Sequence, residues 1–155
     1  MSEAIDKRLL ELGVELPNPA APAANYVPFI QTGNLLFISG QLPIKDGKLM
    51  AMGLLGRELG TEAGKLAAKW CAVNVLAQAQ AALGDLERVQ RIVKLTVFVA
   101  STPDFVEQHV VANGASDFLA AALGERGIHA RAAVGLACLP LNAPVEIEAI
   151  IEAAR

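Results

Sequence analysis

The chain has very little cysteine, few aromatics and no long apolar run. Cys71 and Cys138 are the two cysteines among 155 residues, far apart and without metal-ligand spacing, so neither a disulfide framework nor a zinc site is expected. Each reads as a small buried hydrophobe, Cys71 in a helix and Cys138 in a strand. The two histidines, His109 and His129, have no third ligand at a coordinating spacing, so no metal is expected. Aromatics are 5% of the residues, and 13 Lys and Arg stand against 16 Asp and Glu, a net charge of −3. Without a basic field or interleaved aromatics, little is available to neutralise phosphates or stack bases, which argues against a nucleic-acid partner. No uncharged apolar stretch approaches the roughly 18 residues needed to cross a bilayer, so no membrane partner is expected. The opening "MSEAIDKRLL" is acidic and amphipathic where a secretory leader would be apolar. With so few cysteines, this points to a reduced, cytoplasmic location.

Charge is scarce as well. Charged residues are 19% and apolar residues 54%, against a usual charged share of about a quarter. That is more apolar surface than a monomer of this size hides, and it predicts a homo-oligomer. The length fits one domain over residues 1–155, with residues 1–24 forming an N-terminal helix and a proline-rich extension.

What is present orders itself along the chain. Ile5, Leu9 and Leu12 recur at helical spacing before Gly13, predicting a short peripheral helix over residues 2–12. "ELPNPAAPAAN" is rich in proline and should lie extended on the surface. "YVPFIQTGNLLFISGQLPI" reads as two strands joined by a tight turn at Thr32-Gly33-Asn34. Residues 45–60, rich in glycine, read as a loop. A long helix should start at Thr61 and Glu62, turn Leu66, Trp70, Val73 and Ala77 toward the core, and stop at Gly84. "RIVKLTVFVAS" is the strongest strand, and "STPDF" should open a second helical region reaching about Leu123. Asn113-Gly114 inside that region predicts a helix start or a kink. Two closing strands, "ARAAVGLACLPL" and "VEIEAIIEA", complete the order ββαβαββ. Hairpins at both ends and one helical layer on a sheet make this an α+β fold.

Alternation in the last strand puts Glu146, Glu148 and Glu152 on one face and Val145, Ile147, Ala149 and Ile151 on the other. A half-exposed strand explains those glutamates, and a strand-end arginine paired for structure explains Arg131. Read together, the tight "PLNAP" connection would bring Arg131 and the glutamate strand side by side. An arginine fork suits a substrate carboxylate, and a neighbouring carboxylate could take a proton from water. Ser39, in "ISGQ", lacks the surroundings of a nucleophile elbow. The glycines of "GLLGRELG" do not follow a strand in the dinucleotide-binding pattern.

"GNLLFISGQLPI", "GDLERVQRIVKLTVFVAS", "ARAAVGLACLPL" and "VEIEAIIEA", in that order, resemble the RidA/YjgF family of reactive-intermediate deaminases, over residues 25–153. The resemblance implies a chorismate-mutase-like fold and a homotrimer with clefts between subunits. It also implies hydrolysis of a small enamine or imine acid, such as 2-aminoacrylate, to a 2-keto acid and ammonia without any cofactor. In that pattern Arg131 holds the substrate carboxylate, helped by the backbone N–H of Ala133. Glu146 orients or deprotonates water and stays ionised beside the positive charge. Tyr26 lines the cleft, Ser39 and Gly40 form its floor, and Asn113 opens the second helix. The chain departs from the pattern at His129, where proline is usual, at Ala132 and Ala133, where serine and cysteine occur, and in its N-terminal helix and 45–60 loop. Those departures mark a longer-chain subgroup. A non-catalytic trimer that binds small carboxylates, and an RNA-cleaving protein of the kind ascribed to some family members, are the alternatives; the acidic balance disfavours the second.

Overall fold

In the computed structural model, described for residues 3–19, 21–22 and 24–154, β5 (Val89–Ala100) is the longest strand of the sheet. Val89, Ile92, Leu95, Val97 and Val99 are buried, so one face of a long β-branched run is committed to the core. β5 pairs antiparallel with β7 (Val145–Ala153) on one side and parallel with β6 (Ala130–Leu136) on the other. β2 (Leu35–Gln41) adds to β7, and β1 (Phe29–Thr32) closes that edge through the turn at Gly33, whose φ is +59°. The order is β1-β2-β7-β5-β6. The fold is α+β and chorismate-mutase-like, with α2 (Thr61–Leu83) and α3 (Gln108–Leu123) laid on one face of the sheet.

The first hairpin forms as the turn residues predict, but the expected hairpin of the last two strands does not. β5 lies between β6 and β7. The connection is no tight turn: Leu141 and Asn142 both take positive φ inside the 3₁₀ turn Pro140–Asn142. The Pro144 carbonyl then accepts from Ala100 N–H, carrying the chain over the end of β5. α3 is the crossover that a parallel β5–β6 pair requires.

Other expectations shift for local reasons. The 45–60 loop contains a short hairpin, β3 (Ile44–Lys45) and β4 (Lys48–Leu49), turned at Asp46 (φ 54°) and Gly47 (φ 82°), the Asp-Gly turn favoured between paired strands. α1 (Glu3–Glu11) is not peripheral, because Ile5 and Leu9 enter the main core cluster. Ser2, where the expected helix begins, lies outside the described residues, as do Met1, Ala20, Ala23 and Arg155. α2 buries residues on nearly all sides of its middle, and Leu66, expected in its core stripe, is 47% exposed. Its strip of small residues, Ala67, Ala68, Cys71, Ala72 and Val75, is buried instead. α3 starts at Gln108 and not at the "STPDF" stretch. Ser101 N–H is committed to the Leu136 carbonyl and Thr102 N–H to that of Leu55, so this stretch is a turn held by its neighbours. Asn113-Gly114 neither starts nor kinks α3. A Cβ on Gly114 would stand 1.9 Å from the Lys65 carbonyl oxygen, so glycine lets α2 and α3 touch there. Cys71 is buried as expected, whereas Cys138 lies beyond the end of β6 and is exposed.

Candidate functional site

Paired residues on neighbouring strands point to the same face of a sheet. Arg131 pairs with Leu95, which pairs with Ala149; both partners are buried under the helices. Glu146 pairs with Phe98, which pairs with Val134 on the open face. The two rows are three residues apart on β5, an odd step, so Arg131 and Glu146 leave opposite faces of their own sheet. The side-by-side arrangement expected from a closing hairpin therefore fails within one chain. Two half-sites result.

The first half-site surrounds Glu146. The β2–β7 register breaks between Ile38 and Gln41, and at this irregularity Gly40 leaves room for the glutamate: a Cβ there would lie 2.8 Å from Glu146 Cδ. Glu146, Gly40 and Tyr26 line one cavity of about 350 Å³, with Pro22, Leu42 and Leu141 among its walls. Burial, and secondarily the charge of Glu148, push the Glu146 carboxyl above its ordinary value of 4.5. Arg131 contributes nothing to that shift, contrary to the expectation of a base held ionised by a neighbouring cation. The raised value still suits proton transfer nearer neutral pH. Ser39 does not share this cavity. Its hydroxyl donates to the Val27 carbonyl at 2.7 Å, and it lines a separate hollow on the open face with Lys94, Thr96 and Glu148. It thereby ties down the segment that carries Tyr26. Glu152 is occupied elsewhere, accepting from Arg91 Nε at 3.1 Å and Asn34 Nδ2 at 3.4 Å.

The second half-site sits at β6, the sheet edge. Arg131 Nη1 donates to Asn113 Oδ1 at 2.9 Å and to Ser116 Oγ at 3.0 Å, and Nη2 donates to the His109 carbonyl at 3.1 Å. A guanidinium has five N–H donors, so these bonds within the described residues hold the plane and leave two donors for an anion. Ala133 lies two residues along on the same side of β6, partly buried against the core. Asn113 thus meets Arg131, though from mid-helix. Ser116 and the His109 carbonyl went unnoticed in the sequence. The signal was there: positions 109, 113 and 116 share one face of α3 and are all available for polar contact.

Among the described residues no group of three or more His, Cys, Asp or Glu could hold a metal ion, and no helix is long and apolar enough to cross a membrane.

A two-helix layer over a mixed sheet, with an anchored arginine at the edge and a half-buried glutamate on the open face, defines a chorismate-mutase-like domain. The chain belongs to the YjgF/chorismate mutase-like, putative endoribonuclease family, whose model matches residues 6–152. It is 51% identical over 152 residues to Protein TCP17 of Trypanosoma cruzi, covering 97% of this chain and 95% of that protein. The structure of Atu1372, a protein of unknown function from Agrobacterium tumefaciens, has 56% identity and a TM-score of 0.93, covering 98% of this chain and 94% of that one. RidA from an Antarctic Psychrobacter has 30% identity and a TM-score of 0.62, covering 87% of this chain and 94% of that one. The backbone follows Atu1372 more closely than RidA, in keeping with a longer-chain subgroup.

Proposed function

We propose that the protein hydrolyses small reactive enamine or imine acids to 2-keto acids and ammonia, at clefts between the subunits of a homotrimer. The observation that carries this reading is the Arg131 guanidinium, fixed on three sides with two donors to spare at an exposed sheet edge. N–H donors on a guanidinium plane held in this way suit a carboxylate.

The opposite-face arrangement supports the oligomer. Arg131 stands at an edge strand and Glu146 beside an open face on which Ile30, Phe37 and Val134 are exposed. A neighbouring copy laid against that face would cover the apolar side chains and bring its own edge to Glu146. The anchored substrate is then a protonated imine, already electrophilic at carbon. Water adds to that carbon as Glu146 takes its proton. Glu146 returns that proton to the carbinolamine nitrogen; the C–N bond breaks with its electron pair leaving on nitrogen as ammonia, the hydroxyl gives up its proton to Glu146 as the C=O bond forms, and the keto acid is released. An enamine first takes a proton at its β-carbon to become the imine. Positioning one water and one anion suffices for so small a barrier.

The test is an assay that generates an imine acid in situ, comparing wild type with Arg131→Ala. Loss of a charged hydrogen-bonding anchor should lower kcat/KM by about ten- to a hundredfold; equal rates would remove the claim. A binding-only function is the second reading, favoured by the separation of Arg131 and Glu146 within one chain. It predicts that Glu146→Gln leaves keto-acid binding intact while wild type itself gives no rate enhancement.

A further inference from the structure

Ser116 and His129 form a chain that ends on Arg131. His129 Nδ1 lies 2.6 Å from the Gly127 carbonyl oxygen, and Nε2 lies 2.9 Å from Ser116 Oγ. A carbonyl can only accept, so Nδ1 carries the proton. In the neutral ring Nε2 is then a lone pair, and it accepts the Ser116 hydroxyl hydrogen. A helical serine left alone commonly turns that hydrogen back to the carbonyl four residues earlier. Here the hydrogen is drawn to His129, which leaves the Ser116 lone pairs for Arg131 Nη1 at 3.0 Å. Direction is fixed from both ends, since the carbonyl cannot donate and the guanidinium cannot accept.

We infer that Ser116 and His129 are positioning residues, holding the Arg131 guanidinium in the pose that presents its two spare donors to the substrate carboxylate. The inference rests on the anchor role proposed for Arg131 and assigns two residues to that role. The surroundings favour the neutral ring. His129 is half-buried, and burial first, then the charge of Arg131, depress its pKa, against the Gly127 bond, which raises it. Of the charged groups near it, Asp117 and Arg131 line the same hollow. Arg126, on the adjoining 3₁₀ turn Gly124–Gly127, is turned away toward Glu87 and the Val89 carbonyl.

The experiment titrates the full chain with pyruvate, a small 2-keto acid, and measures turnover of an imine acid in parallel. Ser116→Ala and His129→Phe are each expected to weaken pyruvate binding and raise KM by about three- to tenfold, the worth of one hydrogen bond. Because the anchor acts alike on substrate and transition state, kcat should stay within about twofold. Ser116→Thr, which keeps the hydroxyl, should restore wild-type binding. Nitrogen NMR of the unmutated protein should find His129 with its proton on Nδ1, and the Nε2 resonance should move in Ser116→Ala. If Arg131→Ala binds pyruvate like wild type, the anchor reading itself falls. If Arg131→Ala loses binding while Ser116→Ala and His129→Phe do not, only this inference falls. An Nε2–H tautomer in the unmutated protein would overturn it even if a variant failed to fold.

Discussion

Gly40→Ala is the narrowest perturbation available at Glu146. The added Cβ would meet Glu146 Cδ at 2.8 Å and Cγ and Oε2 at 3.0 Å, whereas comfortable carbon contacts begin at about 3.5 Å. Gly40 is not among the residues with positive φ, so alanine brings no backbone strain and the effect is steric alone. The obstructing atoms are the far end of a flexible side chain, which can swing aside at an off-rotamer cost of about 1 kcal/mol. A melting curve should therefore fall by only about 2–4 °C. The carboxylate, however, must move by more than half an ångström to clear the methyl group. Displacing a reacting group by about 1 Å can cost about a hundredfold in rate. The assay is imine-acid hydrolysis followed with keto-acid detection, with melting as the control for folding. The expected result is a large loss in kcat, little change in KM, and no further loss when Gly40→Ala is added to Glu146→Gln. Wild-type kcat in a folded Gly40→Ala protein would refute the assignment of Glu146 as the base.

Four more outcomes follow from the structure. As the proposed base, Glu146 must act ionised, and its pKa is raised, so kcat/KM should fall on acidification at a pH above the ordinary 4.5. Glu148→Gln should move that acid limb to lower pH without abolishing the elevation, since burial is the larger cause; an unmoved limb would remove Glu148 from the account. The same shift bears on stability: a carboxyl with a raised folded-state pKa contributes stability below 4.5 that is lost as pH rises through the raised value. Glu146→Gln should therefore melt higher than wild type at pH 7, with the gap closing near pH 4. Gly114→Ala, whose Cβ would sit 1.9 Å from the Lys65 carbonyl, must push α2 and α3 apart. An overpacking cost of about 1–3 kcal/mol is expected, read as a loss of Tm; an unchanged melting curve would show that the two helices separate without cost.

Local pattern was legible wherever it also decided the contact. The alternation of β7 put Glu146, Glu148 and Glu152 on one face because period-two chemistry survives whatever the neighbours are. The Thr32-Gly33-Asn34 turn specified its hairpin because both strands abut it. Asp46-Gly47 carried the same kind of signal, but its flanking strands are two residues each and offer no alternation to read. What sequence proximity could not show is which strand lies between β6 and β7. Inserting β5 there changes Arg131 from a neighbour of Glu146 into a residue of the opposite face, because faces follow from register parity. Each residue named by family resemblance lies in one of the two half-sites or beside it, but resemblance alone does not say which half. Ser116 escaped notice because its partner is a side chain, Arg131, brought to it by the α3 crossover.

The parity cannot be repaired inside one chain. A one-residue slip of β6 would turn Arg131 outward, but it would also remove Gly135 from where a Cβ would lie 2.8 Å from both Gln108 Nε2 and Ser101 Oγ. Val134 or Leu136 would have to enter that space, so the register is locked. A site using both groups must then take Arg131 from one copy and Glu146 from another, and this has a quantitative consequence. Arg131→Ala and Glu146→Gln chains, each strongly impaired alone, should regain activity when refolded together. If the protein is the proposed trimer, every cleft in a random mixture would draw its arginine from one chain and its glutamate from the next, so about one cleft in four would combine the two intact groups. Co-refolding equal amounts should recover about a quarter of wild-type turnover, whereas mixing the folded variants without subunit exchange should give no more than their separate turnover. Turnover after co-refolding no higher than that of the separate variants would mean that the two groups never meet across a subunit boundary, and the proposed deaminase site would have to be abandoned with them.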